Sequence, residues 1–370
     1  MKKCVVIPDS FKGTMTSMEV CNIMTACVSR HFPDCQVVTI PVADGGEGTV
    51  DCFLRAKAGE KVNVVAQDAY GIDMAGFYGR FGDTAVVEMA AVAGIIINTR
   101  KDTMHASTYG VGQLIRHAID HGADRVIIGL GGSCTSDAGC GMAAALGAKF
   151  YDENDRAFIP VGETLNKVRR IDTAPLREVI RNVQINCICD TNKVMYGPDG
   201  AAYVYAPQKG ATAEEVEILD RNLKKLSEVI KSELGIDVST LPGGGAAGDM
   251  GAGAAAFMGA ELRPGIDYIM DIVGFDDCLQ DTDFVFTGEG CFDMQSLSGK
   301  AVCGIAARAA RCNVPVIVVA GRNKVYTQDL SKYGITAVYE TASSDDFAVF
   351  SRTCREDLCA AMEKALGNLT

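Results

Sequence analysis

Short apolar runs alternate with stretches of helical periodicity along nearly the whole chain. Residues 4–7 (Cys-Val-Val-Ile) read as a strand. Thr16 and Glu19 then stand three apart as a capping box, and Val20, Ile23, Met24, Cys27 and Val28 recur on one helical face. Residues 36–40 repeat the strand pattern, and the turn around Asp44 leads into a helix carrying Val50, Phe53 and Leu54. A strand, a helix and another strand in that order predict a βαβ start. Between about 61 and 94 the pattern changes to short strand-like pieces with glycine turns, which reads as departure into a second domain. A helix near 107–121, a strand before Gly129 and a helix after Asp137 follow. A second capping box, Thr212 with Glu215, opens a long amphipathic helix bearing Val216, Leu219, Leu223, Leu226 and Ile230. Strand patterns return at 284–286, 314–320 and 335–339, before a last helix from about position 346.

This order predicts an α/β protein of two α/β domains. Residues 1–66 and 262–370 would form a discontinuous, doubly wound, Rossmann-like domain. Residues 67–261 would form a second α/β domain inserted into it, with the active site in the cleft between the two.

Six glycine-rich turns interrupt the pattern, each loaded with an acid, a hydroxyl or a lysine. They are residues 8–14, 43–49, 129–137, 189–192 with 197–200, 243–253 and 287–296. The turn at 129–137, Gly-Leu-Gly-Gly-Ser-Cys-Thr-Ser-Asp, follows an apolar run and precedes an alanine-rich helical stretch. Its backbone N–H groups are therefore expected near a helix N-terminus, where an anion is favoured. Several such turns mixed with carboxylates suggest an anionic ligand bound through a metal.

Composition narrows the partners. The formal charge is 35 − 47 = −12, which argues against a nucleic-acid surface or a polybasic membrane anchor. Fifteen cysteines form no C-x-x-C pair, the closest spacing being Cys187-x-Cys189, so they read as reduced, small core hydrophobes. Of the four histidines, His105, His117 and His121 cluster in or beside one helical segment without a partner motif, and no structural zinc is expected. The opening residues are broken too early by Pro8 for a signal segment, and no run approaches the ~20 apolar residues of a membrane span. A cytoplasmic protein, monomer or homodimer, without nucleic acid or membrane partners, is expected.

Neither common nucleotide signature is present. Gly299-Lys300 has Met294 where a P-loop needs its first glycine, and Gly251-x-Gly253-x-x-Ala256 follows no strand. Lys12 lies just past the first predicted strand, where open α/β sheets put their ligands. Asp190 ends the apolar run 183–189, with Thr191 and Asn192 beside it. A carboxylate at a strand tip suits a general base or a metal ligand. Glu289, Asp293 and Gln295 follow another predicted strand end at Gly288, with Lys300 opening the next helix.

At these residues the chain resembles the bacterial-type glycerate kinase family, glycerate kinase type 1. The resemblance rests on residues 9–13 (Asp-Ser-Phe-Lys-Gly), 43–49 (Ala-Asp-Gly-Gly-Glu-Gly-Thr), 129–137, 197–201, 206–211 (Ala-Pro-Gln-Lys-Gly-Ala), 287–296 and Gly299-Lys300. Ser136, where Asn is expected, and Asp249, in place of a more purely Gly/Ala run, depart from the family pattern. The resemblance implies ATP-dependent phosphorylation of D-glycerate at its 2-hydroxyl with Mg²⁺. A kinase giving the 3-phosphate or acting on another small hydroxy acid remains an alternative.

Within that scheme Asp190 is the expected base, while Lys12 and Lys300 place charge on phosphates or on the glycerate carboxylate. Asp44 and Glu289 are the expected Mg²⁺ ligands, Asp44 also counting with Asp190 and Lys12 as catalytic. Ser10, Gly45, Gly46, Gly131, Gly132, Ser133, Asp137, Asn192, Gln208, Lys209, Asp293, Gln295 and Lys300 are expected to contact substrate or phosphate. The rival, an organic-acid sensor, would need anion donors but not a cluster of carboxylates, which repel an anionic ligand unless a metal intervenes.

Overall fold

The computed structural model describes the chain apart from residues 12, 43–44, 295, 299–300, 327–328, 342–346 and 370. In chain order the strands are β1 (Lys3–Val6), β2 (Gln36–Thr39), β3 (Glu60–Gln67), β4 (Asp73–Phe81), β5 (Thr84–Glu88), β6 (Arg125–Gly129), β7 (Lys149–Tyr151), β8 (Ala157–Phe158) and β9 (Arg170–Asp172), then β10 (Gln184–Ile188), β11 (Glu261–Arg263), β12 (Phe284–Phe292), β13 (Val316–Asn323) and β14 (Ile335–Glu340). Two compact units contain them. The first is Met1–Ala43, Arg55–Lys57 and Pro264–Thr370; the second is Asp44–Leu54 and Ala58–Arg263.

The first unit holds an all-parallel sheet in the order β14-β13-β12-β1-β2. Counted within this unit, the order is 2-1-3-4-5, the flavodoxin-like variant of the doubly wound sheet. Its direction reverses between β1 and β12, and open sheets of this kind bind ligands past the carboxyl ends at that reversal. The helix Ser17–His31 starts where the capping box predicts. Glu19 N–H donates to Thr16 Oγ1 at 3.2 Å, and Thr16 N–H donates to Glu19 Oε2 at 2.9 Å. Its buried Val20, Met24 and Val28 join Leu358 and Met362 of the helix Phe347–Gly367 in one apolar cluster.

The second unit holds a mixed sheet, β11-β10-β6-β5-β4-β3, parallel from β5 to β11 and antiparallel at the β3–β4–β5 edge. Glu88 of β5, Gly129 of β6 and Ile188 of β10 stand in register, so three carboxyl ends finish side by side. A small sheet, β8-β7-β9, accompanies it. The helix Ala213–Leu234 carries both halves of its capping box and buries Val216, Leu219, Leu223, Leu226 and Ile230, each such side chain contributing about 1.5–3 kcal/mol.

Three expectations shift. The chain enters the second unit earlier than a boundary at 66/67, because every residue of β3 pairs with β4. The segment 243–253 is mostly not a loop: the helix Ala246–Met258 takes it up, interrupted by a left-handed run at Ala247, Gly248 and Asp249. The strand predicted to end at Gly288 continues to Phe292, so Glu289 is a strand residue opposite Ala320. Among the described residues no helix is long and apolar enough to cross a membrane.

Candidate active site

In the second unit three motifs far apart in sequence meet at the carboxyl ends of β6 and β10. Gly131 N–H donates to Gly45 O at 2.8 Å, and Leu130 N–H donates to Ile188 O at 3.2 Å. A Cβ on Gly131 would lie 2.4 Å from Gly46 Cα, so the two turns fit only because neither has a side chain at the crossing. Gly45 adds a positive φ of 87°, and a Cβ there would come within 2.9 Å of Ile188 O. The turn is held from its other side by Ile95 N–H to Gly132 O at 2.8 Å and Cys134 N–H to Ala93 O at 3.0 Å. Asp190 and Asn192 stand exposed just past β10, and Glu47 is exposed beside Gly132.

The helix N-termini near these turns are not open to an anion, which corrects the expectation for Asp137. Asp137 is fully buried, and its carboxylate accepts Thr108 N–H at 2.7 Å and Thr108 Oγ1 at 2.8 Å. It also accepts Gly139 N–H at 3.2 Å and Gly141 N–H at 3.1 Å, at the start of the short helix Cys140–Ala145. The chain supplies its own anion there, and Asp137 holds the turn from beneath. Burial raises its pKa, while these hydrogen bonds oppose the rise. Glu88, which the sequence reading missed, does the same for the neighbouring turn. It accepts Val50 N–H at 2.5 Å, and Gly48 N–H, where the helix Thr49–Ala56 begins. Burial pushes its carboxyl up to about 7.

Lys209 is likewise not where a ligand contact would be. It is 3% exposed, and its ammonium donates to Ser133 Oγ at 2.8 Å and to Thr135 O at 2.6 Å, binding the turn internally. Burial pushes its pKa down to about 8, and Asp249 pulls against that shift. Asp249 is fully buried, neither of its oxygens has a hydrogen-bond partner among the described residues, and burial moves its pKa well up with Lys209 opposing. The departure at Asp249 therefore places a buried carboxyl group whose electrostatic influence reaches Lys209. Its backbone is left-handed (φ 68°), and Ala138 N–H donates to Gly248 O at 3.0 Å, so this strained run braces the turn's far end. Gln208, beside Lys209, is exposed.

In the first unit the site lies at the sheet reversal. Beyond β1 the pairing with β12 continues: Ile7 N–H donates to Phe286 O and Asp9 N–H to Gly288 O, both at 2.8 Å, while Thr287 Oγ1 donates to Ile7 O at 2.8 Å. Asp9, Ser10, Glu289 and Asp293 are half-buried here. Asp9 Oδ1 accepts Ser10 N–H at 2.6 Å, and Asp293 Oδ1 accepts Ser296 N–H at 3.2 Å. Asp9 opens the 9–13 motif but carries no expected role of its own, although in sequence it follows the same predicted strand as Lys12. Lys12, Asp44, Gln295 and Lys300 lie outside the described residues.

The model of the glycerate kinase family matches residues 4–367. A protein of Halalkalibacterium halodurans named glycerate kinase is 38% identical over 343 residues, covering 92% of this chain and 90% of its own. One of Escherichia coli named glycerate 2-kinase is 38% identical over 346 residues, with 92% and 91% covered. A crystal structure from Salmonella typhimurium LT2, described as a candidate glycerate kinase 2, superposes with a TM-score of 0.86 at 37% identity, covering 100% of this chain and 98% of that one. This chain belongs to the glycerate kinase family and is a kinase.

Proposed function

We propose that this kinase transfers the γ-phosphoryl group of ATP to the 2-hydroxyl of D-glycerate, assisted by Mg²⁺. The observation that carries the reading is the meeting of the turns at 45–48 and 129–133 beside the strand-tip Asp190, because these are the motifs on which the family resemblance rests. The Escherichia coli relative's name supports the 2-position.

The donor chemistry of the first unit fits a hard divalent cation: Asp9, just past β1, and Glu289, within the adjacent β12, offer carboxylate oxygens. Bound there, Mg²⁺ supplies charge neutralisation on the transferring phosphoryl group. Asp190 takes the proton from the acceptor hydroxyl, which its exposure at a strand tip permits. The amides of Gly132 and Ser133 face phosphate oxygens, and Lys12 and Lys300 place positive charge on phosphate or on the glycerate carboxylate. Ser10, Asn192, Gln208, Asp293 and Gln295 complete the contacts. The test incubates purified protein with ATP and a panel of hydroxy acids and reads the product by phosphorus NMR. 2-Phosphoglycerate is expected, with turnover lost in excess chelator. A 3-phosphate product overturns the position, and undiminished turnover in chelator overturns the metal.

A further inference from the structure

Two thiols from opposite ends of the chain meet in the first unit, away from the sheet reversal. The helices Ser17–His31 and Phe347–Gly367 run side by side. Phe347 packs against Gly13, Arg355 pairs with Glu19, and Glu363 reaches Arg30 at 3.2 Å and His31 at 3.1 Å. Between these contacts Cys27 Sγ and Cys359 Sγ lie 3.3 Å apart. The Arg30 guanidinium donates to both sulfurs, at 3.2 Å to Cys27 and 2.9 Å to Cys359. Most other cysteines, such as the fully buried Cys140 and Cys187, have no such surroundings and fit the role of small core hydrophobes.

We propose that Cys27 and Cys359 are a dithiol–disulfide site that a peroxide oxidises reversibly, joining the first and last helices covalently. Three features carry this. The sulfurs need to close by little more than 1 Å to reach a bond of about 2.05 Å, and Cys359, half-buried rather than enclosed, can turn to do so. The Arg30 guanidinium sits 2.9 Å from the Cys359 sulfur, the position from which it orients that sulfur toward Cys27. Burial pushes the Cys27 thiol up to about 12, which keeps it protonated until a partner sulfur is activated. The Cys359 thiolate attacks the peroxide, the O–O bond breaks, hydroxide leaves and Cys359 becomes a sulfenic acid. The Cys27 sulfur then attacks the Cys359 sulfur, and the sulfenic oxygen leaves as water with the Cys27 proton. Overall two thiols and hydrogen peroxide give one disulfide and two waters.

The carboxylate of Glu363 completes a set that could also hold a soft metal ion. The centre of that set is occupied by the Arg30 guanidinium, and the sulfurs are closer than the roughly 3.7 Å that tetrahedral Zn–S bonds of about 2.3 Å require, so the geometry favours the disulfide. Cys4 and Cys35 form an internal control. Their sulfurs are 3.8 Å apart, no guanidinium donates to either among the described residues, and burial together with Cys35 raises the Cys4 thiol well above its ordinary value.

The experiment treats the reduced, full-length protein with stoichiometric hydrogen peroxide and follows intact mass, linked tryptic peptides and Tm. A loss of 2 Da is expected, with a Cys27–Cys359 peptide that dithiothreitol removes and a rise in Tm of roughly 5 °C. Cys359→Ser, a change at a half-buried position, should abolish the link. Cys27→Ser should leave Cys359 to proceed to sulfinic acid, and Arg30→Met should slow the reaction about tenfold. Linkage of Cys4 to Cys35 first, peroxide products without any link in the wild type, or one equivalent of Zn²⁺ that shields both thiols would each overturn the proposal.

Discussion

The two glycine-rich regions of this kinase are built by different physics. In the first unit the loop after β1 takes its position mainly from the sheet: Ile7 and Asp9 continue the β1–β12 pairing, and side-chain bonds such as Thr287 Oγ1 to Ile7 O and Ser17 Oγ to Pro8 O are added. In the second unit the β5–β6–β10 ladders stop at Gly129 and Leu130, at the very start of the turn at 129–133. Its remaining residues are fixed by the bridge between Gly94 and Ser133, by backbone crossing with Gly45 and Gly46, and by the buried polar side chains Asp137 and Lys209, with Glu88 under the neighbouring turn. One region is a by-product of regular structure; the other needs a polar scaffold of its own. Removing a polar group from the scaffold should therefore cost stability, whereas removing one from an exposed tip should cost only rate.

Asp190 and Asp137 separate these cases most sharply. Asp190→Asn keeps the shape at an exposed position and removes the proton acceptor. Its kcat should fall on the order of 10²–10⁴-fold, with Tm and nucleotide affinity near wild type. Asp137→Asn faces four donors with one oxygen and an NH₂ group, and should lose about 3 kcal/mol in urea unfolding. If Asp137→Asn were as stable as wild type but inactive, Asp137 would contact ligand after all. If Asp190→Asn lost stability instead of rate, the contrast between tip and scaffold would fail.

What could be read beforehand follows the same division. Strands β1, β6, β10 and β12 announce themselves as apolar runs, and both long capped helices begin at their Thr-x-x-Glu boxes, so the α/β order and the strand-tip position of Asp190 were legible. The extension of β12 through Glu289 was not, because Gly-Glu-Gly has the composition of a turn and only pairing with β13 makes it strand. Asp137 and Lys209 were misread for a related reason. An acid or a lysine in a glycine-rich turn looks the same whether it faces a ligand or the interior, and only burial tells them apart. Glu88 left a faint sign, an acid closing an otherwise apolar strand, Thr-Ala-Val-Val-Glu.

Glu88 offers a pH test of the scaffold. Its pKa is raised from 4.5 to about 7, with burial the largest cause, so the folded state holds the proton more tightly than the unfolded chain does. This contribution to stability is complete below about pH 4.5 and is lost as pH rises through 7, by up to about 3 kcal/mol. Glu88→Gln keeps an acceptor for Val50 N–H without titrating. The stability of wild type relative to Glu88→Gln, from urea unfolding between pH 4.5 and 8, should decline across that window and level off above it. A flat difference would mean that the carboxylate is compensated when ionised, and that the turn at 45–48 carries no buried-charge cost.

The smallest effect is expected in the region that relies on its ladder. Thr287 is fully buried, and its hydroxyl donates to Ile7 O, a carbonyl immediately before the loop. Thr287→Val preserves volume and removes the donor, leaving that acceptor short of one hydrogen bond, at a cost of about 1 kcal/mol. The backbone bonds Ile7 N–H to Phe286 O and Asp9 N–H to Gly288 O remain and hold the strand exit in place, so kcat/KM should change by less than threefold. Steady-state kinetics and urea unfolding of the same preparation check both numbers. A loss of activity as large as that of Asp190→Asn, at unchanged stability, would show that the Thr287 hydroxyl aligns Glu289 for the reaction, and that the first region also depends on a specific polar bond rather than on its sheet alone.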